Sequence, residues 1–153
     1  MFNDYNDKYF YILRCLERLV IEEIKAIPDF TGYYASSEGN IYTSIQQGCR
    51  DRFNTQKRIP LKLLNERPTK NGYKRVYMRR DSTNKREDIY IHRIIAQLFV
   101  PNPNNLPEVN HLDCNRENNK SNNLMWVSRI ENWKYALDCG YMKRNKLGQF
   151  CHK

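Results

Sequence analysis

The sequence predicts an α+β fold: an N-terminal amphipathic helix, a small antiparallel sheet region, and a strand–loop–strand–helix (ββα) unit holding the best candidate chemistry. Three observations predict it. Apolar residues recur three and four apart within residues 5–25. Short β-type segments alternate with turn clusters between Tyr33 and Ile91. A Ser-x-x-Glu pair, Ser128 and Glu131, follows the apolar run Leu124-Met125-Trp126-Val127 and marks a helix start.

At 153 residues the chain can bury only a modest core, one ordinary domain or two small modules. Lys and Arg outnumber Asp and Glu by 26 to 17, a net charge of +9, which favours a polyanionic partner, nucleic acid ahead of an anionic membrane. Residues 50–93 hold 14 basic and 5 acidic side chains, so the middle third carries the whole excess. Cys15, Cys49, Cys114, Cys139 and Cys151 are scattered, with no C-x-x-C pair, and are expected to be free thiols in a reducing cytosol. The acidic, polar start Met1-Phe2-Asn3-Asp4 is unlike a signal peptide, and no apolar run is long enough for a membrane span. A soluble cytoplasmic protein is expected.

In chain order, Tyr9, Ile12, Leu13, Leu16, Leu19, Val20 and Ile24 form the apolar stripe of the first helix, assigned to residues 1–26. Packing on the rest of the protein is its expected role, with a dimer contact the alternative; a monomer is favoured. A β-rich basic module follows over 27–91. It opens with a hairpin, Tyr33–Ser36 and Ile41–Ser44 around Ser37-Glu38-Gly39-Asn40, and continues through a polar, basic loop from Gln46 to Lys57. Pro60–Leu64 introduces a second β region, in which Asn71-Gly72 is a tight turn, Tyr73–Arg80 a strand, Asp81–Asn84 a turn and Ile89–Ile91 a strand. Alternation puts Tyr73, Arg75, Tyr77 and Arg79 on one face and Val76 and Met78 toward the core. With Arg80, Lys85, Arg86 and Arg93, the Tyr/Arg face makes the candidate surface for double-stranded DNA, since cations interleaved with aromatics suit phosphate contact. His92–Phe99 reads as a short helix stopped by Pro101 and Pro103; a structural or DNA-backbone role is expected for His92.

Over 92–140 the candidate site takes shape. Val109-Asn110-His111 is a short strand and Leu124–Val127 a second, joined by an Asn-rich loop; the capped helix runs to about Cys139, with Gly140 as its stop. His111 lies 12 positions before Asn123 and Asn123 lies 9 before Asn132, so folding strand, strand and helix together brings the three near one another. Imidazole is the side chain suited to accept a proton near neutral pH, and carboxamide oxygens suit a hard cation. Asp113-Cys114-Asn115 is a turn, and Trp126 is core.

Asn110-His111, Asp113, Asn115, Asn118-Asn119, Asn123-Leu124, Trp126-Val127-Ser128 and Glu131-Asn132 resemble the HNH motif of phage and intron-encoded homing endonucleases. His92-Arg93-Ile94-Ile95-Ala96 with Phe99 resembles the same family's lead-in, and Pro28-Asp29-Phe30-Thr31-Gly32-Tyr33 through Gly39-Asn40-Ile41-Tyr42 its N-terminal module. The likeness covers most of residues 27–136. It implies a ββα-metal (His-Me finger) nuclease in which His111 is the general base and Asn123 orients loop and imidazole. Asn110 and Asn132 would ligate one divalent cation, Mg²⁺ ahead of Mn²⁺. Many relatives carry Asp where this chain has Asn110, which removes a charge from the ligand set. The implied activity is nicking of double-stranded DNA, of the homing or phage type; the alternatives are a catalytically decayed, DNA-binding descendant or an RNA-binding protein. The basic tail, 141–153, is shorter than the helix-turn-helix many relatives carry at this end, which leaves recognition to the basic sheet.

Overall fold

The structure, a computed structural model, describes residues 22–50, 56–144 and 150–152. The expected N-terminal helix lies largely outside the described residues, and its last stretch is not helical: Ile24–Ala26 is a strand, β1, paired with β2 (Tyr33–Ser36). Helical spacing of Ile24 with upstream apolar residues carried no information about this edge pairing. The predicted hairpin of β2 and β3 (Ile41–Arg50) is present, and Gly39 sits in its turn at φ 88°.

The loop expected from Gln46 to Lys57 is corrected. β3 continues to Arg50, and β4 (Gln56–Leu63) pairs back on it, so Pro60–Leu63 completes a first sheet of order β1-β2-β3-β4 and does not open the second. Register shifts between Thr43 and Ile45 and again before Arg50 show why no alternation marks this ribbon: bulges break the period of two.

The second sheet holds β5 (Arg67–Pro68), β6 (Lys74–Arg79) and β7 (Arg86–Tyr90). Gly72, at φ 80°, makes the turn between β5 and β6, where only glycine is at ease. Val76 and Met78 are fully buried and Tyr77 is exposed, as the alternation predicts. Helix α1 (Ile91–Phe99) follows without a break and is the spine of the molecule. Ile91, Ile94, Ile95 and Ala96 bury one face of it in a core shared with Ile41 and Ala35 of the first sheet, Val76 and Met78 of the second, and Val109 and Leu124 beyond. Val100, with extended backbone ahead of Pro101, ends it.

The ββα unit is then built as predicted: β8 (Glu108–His111) pairs antiparallel with β9 (Leu124–Val127), and α2 (Arg129–Asp138) follows. Trp126 packs against the core and donates its indole N–H to Val100 O. Both capping-box bonds are made: Ser128 Oγ accepts from Glu131 N, and Glu131 Oε2 accepts from Ser128 N at 2.8 Å. Gly140, at φ 68°, closes the helix. Within the basic tail, β10 (Met142–Arg144) and β11 (Phe150–His152) pair antiparallel.

Helix α2 has no buried residue, so its cap and its ties to the loop hold it in place. One tie corrects the expectation of free thiols: Cys114 and Cys139, Cα atoms 5.6 Å apart, form a disulfide from the loop after His111 to the C-terminal end of α2. Sequence spacing could not show it, because the two cysteines stand 25 positions apart and the chain between them must first fold back. Opening a loop of this length should lower stability by about 3 kcal/mol. Thermal unfolding of wild type and of Cys139→Ser, each with and without reductant, checks this: reductant should lower the wild-type midpoint to that of the variant, and equal midpoints throughout would dispose of the claim.

Candidate active site

His111 ends β8, and its ring is almost fully buried. Its Nε2 lies 3.2 Å from Asn119 Oδ1. Asn119 Nδ2 is already committed as donor to Glu117 O, so the oxygen faces the imidazole and His111 Nε2 must be the protonated nitrogen. That leaves Nδ1 with a lone pair. Burial lowers the His111 pKa below the ordinary histidine value, and the Arg116 charge adds to the effect against the opposing pull of Asn119 and Asp113. The ring is therefore neutral, with one basic nitrogen, at pH 7.

The loop between β8 and β9 is a closed set of side-chain bonds. Asn123 Oδ1 accepts from Asp113 N, and its Nδ2 donates to Asp113 Oδ1 at 2.8 Å and to Asn118 O at 2.9 Å. Asp113 also accepts from Asn115 N and Asn118 Nδ2; these bonds outweigh burial and hold its carboxyl below the usual carboxylate range. Cys114 turns the chain at φ 57°. Asn123 thus holds the loop, while the direct partner of the imidazole is Asn119. Sequence reasoning gave Asn119 no role of its own; its place four residues before Asn123 in an Asn-rich run was the signal available.

Asn110, His111 and Asn132 line one small cavity of about 20 Å³, together with Tyr73, Cys114, Arg116 and Tyr141. The volume suits one water-sized group. Asn132 reaches it because it sits in the first turn of α2, set by the Ser128 cap. Asn110 Nδ2 is buried there with no hydrogen-bond partner, an uncommon state for a carboxamide. Among the described residues no three His, Cys, Asp or Glu side chains converge anywhere, so the polar wall of the cavity is carboxamide, imidazole and guanidinium.

Behind the site stands His92, buried in α1, with its ring 5.3 Å from that of His111 and 5.0 Å from that of Tyr73. Its Nδ1 is buried without a partner. Burial first, then the charges of His111 and Arg93, push its pKa down to about 3, so it is a neutral wall to the site.

The front module braces the loop from outside. Ser121 N donates to Ser37 O at 2.8 Å, and Lys120 pairs with Glu38 at 2.6 Å. A Cβ on Gly39 would stand 2.8 Å from the carbonyl carbon of Asn119, the residue that holds His111. Gly39→Ala therefore combines a disfavoured φ with a backbone clash and should cost about 3 kcal/mol. Denaturant titration reads it; a variant within 1 kcal/mol of wild type, by the roughly ±0.5 kcal/mol that neutral surface changes show, would mean the turn and loop separate freely.

The expected DNA-contacting residues divide into two groups. On the outer face of the second sheet Tyr77 is exposed, with the Arg67 and Arg86 guanidinium groups 4.7 Å and 5.9 Å from its ring; Lys85 and Arg86 are exposed, and Arg79 donates to Asn84. Arg75, Arg80 and Arg93 have acidic partners: Asp88 for Arg75, Asp29 and Glu87 for Arg80, Glu108 for Arg93. Arg80 also lies over Phe30, and with Asp29, Ser82 and Thr31–Asp81 it fastens the second sheet to the front module.

Residues 89–134 match the family model described as HNH endonuclease. Two uncharacterized HNH endonucleases of Acanthamoeba polyphaga mimivirus, L245 and L247, are 39% and 29% identical to the chain over 71 and 115 residues, or 46% and 71% of its length. The DNA endonuclease I-HmuI of Bacillus phage SP01 is 29% identical over 128 residues, 83% of this chain. The solved structure of that HNH homing endonuclease, described as showing DNA binding and cleavage, superposes with a TM-score of 0.57 at 27% identity, over 77% of this chain and 59% of that one. The chain spans 21%, 29% and 64% of the lengths of the three relatives. Residues 89–134, the strand–loop–strand–helix with His111 at its centre, are thus the part of the chain that is similar to the HNH endonuclease family.

Proposed function

We propose that this chain is a metal-dependent endonuclease that hydrolyses a phosphodiester bond in double-stranded DNA, a nicking enzyme of the homing or phage type. The observation that carries the reading is the cavity in which Asn110, His111 and Asn132 meet, with the His111 imidazole oriented by Asn119 and kept neutral by burial. Nδ1 of His111 accepts a proton from water as the water oxygen bonds to phosphorus. The bond from phosphorus to the 3′-oxygen breaks, and that oxygen takes up a proton from solvent. One such centre handles one phosphodiester, hence one strand for a monomer.

The donor set fits a hard, oxygen-preferring cation, because the carboxamides of Asn110 and Asn132, which both line the cavity, each carry an oxygen able to ligate one. Mg²⁺, with Mn²⁺ as substitute, would be held by these two residues and would supply charge stabilisation at the phosphoryl and leaving oxygens. Asn123 keeps the loop in shape. The exposed Tyr77, Lys85 and Arg86 with the half-buried Arg79, and Arg75, Arg80 and Arg93 as partly neutralised neighbours, provide phosphate contacts without sequence readout.

Incubating supercoiled plasmid with the protein tests the reading: Mg²⁺ or Mn²⁺ should yield open circles, chelator should stop the reaction, and intact plasmid under every metal would refute it. The absence of any carboxylate from the cavity favours one second reading, a DNA-binding descendant with a decayed site. That protein binds duplex in a salt-sensitive way without cutting, and Asn110→Asp would restore cleavage.

A further inference from the structure

Arg116 stands where two spaces meet. It lines the small cavity with Asn110, His111 and Asn132, and also an open cleft of about 600 Å³ bordered by Lys70, Arg129, Asn132 and Trp133. Its guanidinium carbon lies over two rings, 4.7 Å from the Tyr73 centroid and 3.6 Å from the Tyr141 centroid, and its Nη1 donates to Asn71 O at 2.9 Å. Three separate pieces of the fold supply this seat: the turn after β5, the residue that opens β6, and the chain just past α2. Tyr141 is itself tied down, its hydroxyl donating to Cys114 O.

Among the described residues Arg75, Arg80 and Arg93 each have an acidic partner, and Arg116 has none. A planar cation held over two rings, with donors left over and no counter-charge, is preorganised for a phosphate, whose oxygens match its fork. Lys70 and Arg129 on the cleft walls extend the positive potential along the path a strand would take to reach it.

We infer that Arg116 is a catalytic residue that grips the non-bridging oxygens of the scissile phosphodiester and stabilises the charge they gain in the transition state. The inference rests on the nuclease reading and adds to it the residue that seats the substrate phosphate against His111. Arg116 transfers no proton, and the bonds made and broken are unchanged. Lysine should replace it poorly, because an ammonium can neither spread over Tyr73 and Tyr141 nor offer two parallel donors.

Single-turnover plasmid nicking at saturating protein, paired with duplex binding by fluorescence anisotropy, tests the inference on wild type, Arg116→Ala, Arg116→Lys and Arg129→Gln. Removing one preorganised transition-state donor should slow nicking by about 100- to 1,000-fold in Arg116→Ala. Duplex Kd should change little, and added guanidinium ion should recover part of the rate. Arg116→Lys, which keeps bulk and charge if the alanine variant folds badly, should remain slow. Arg129→Gln, which removes a charge from the cleft wall, should weaken duplex binding in the anisotropy measurement. A wild-type rate for either Arg116 variant at saturation, or a loss in Arg116→Ala that guanidinium leaves untouched while melting falls in step, overturns the assignment and leaves the nuclease reading standing. Wild-type protein that nicks nothing overturns both.

Discussion

His111→Ala should abolish nicking while duplex binding stays within about two-fold of wild type, since loss of a positioned general base typically costs 100- to 10,000-fold. The size follows from the geometry. The only basic nitrogen in the cavity wall is His111 Nδ1, because its Nε2–H is spent on Asn119 and the remaining lining groups are amides, phenols, a guanidinium and a disulfide. Nothing adjacent can substitute for it; His92, 5.3 Å away, sits behind the ring with burial around it. The variant also leaves Asn119 Oδ1 without its partner, so a stability loss of about 1–3 kcal/mol accompanies the change, and a melting curve must show the protein folded at the assay temperature. Rapid cutting by the folded variant would remove His111 from the mechanism.

The second large effect is acid destabilisation centred on His92. Its folded pKa is pushed down to about 3 from 6.5 by burial and by the charges of His111 and Arg93. As pH falls below about 6.5 the unfolded chain takes up a proton that the folded chain refuses, so stability present at neutral pH is lost progressively toward pH 3. Over that interval the loss from this one group amounts to on the order of 4 kcal/mol. The groups packed on it, Tyr73, Tyr90 and His111, bring no carboxylate to reverse the sign. His111, lowered in the same direction, adds to the slope. His92→Phe keeps an aromatic ring, removes the unpartnered Nδ1, and should flatten the fall in unfolding free energy between pH 7 and pH 4.5. Parallel slopes for wild type and variant in denaturant titrations would show that the burial of His92 is not what the acid acts on.

Much of the site was legible because its positioning devices are local. A Ser128–Glu131 cap, an Asn71-Gly72 turn and the alternation through Val76 and Met78 each act over a few residues, and the structure reproduces them. What escaped depends on distant parts meeting. Cys114 and Cys139 become partners only after α2 docks, and Arg116 finds its seat only when Tyr73 and Tyr141 arrive from opposite sides. Asn119 competes with Asn115, Asn118 and Asn123, all plausible by type; the turn at Cys114 decides which amide reaches the imidazole. The strand pairing after Gln46 was hidden for another reason. Backbone hydrogen bonds made it, and a polar stretch with bulges leaves no periodic trace.

The contact of Gly39, Glu38 and Ser37 with residues 119–121 has a consequence for inheritance and engineering. Residues 89–134, moved alone onto a foreign binding domain, would carry the base and its Asn119 partner but lose the outer surface against which that partner's backbone is seated. A working transplant would need the hairpin as well as the motif. On the nuclease reading, exchange of DNA-contacting parts should therefore succeed at joints outside residues 37–141 and fail at joints within them.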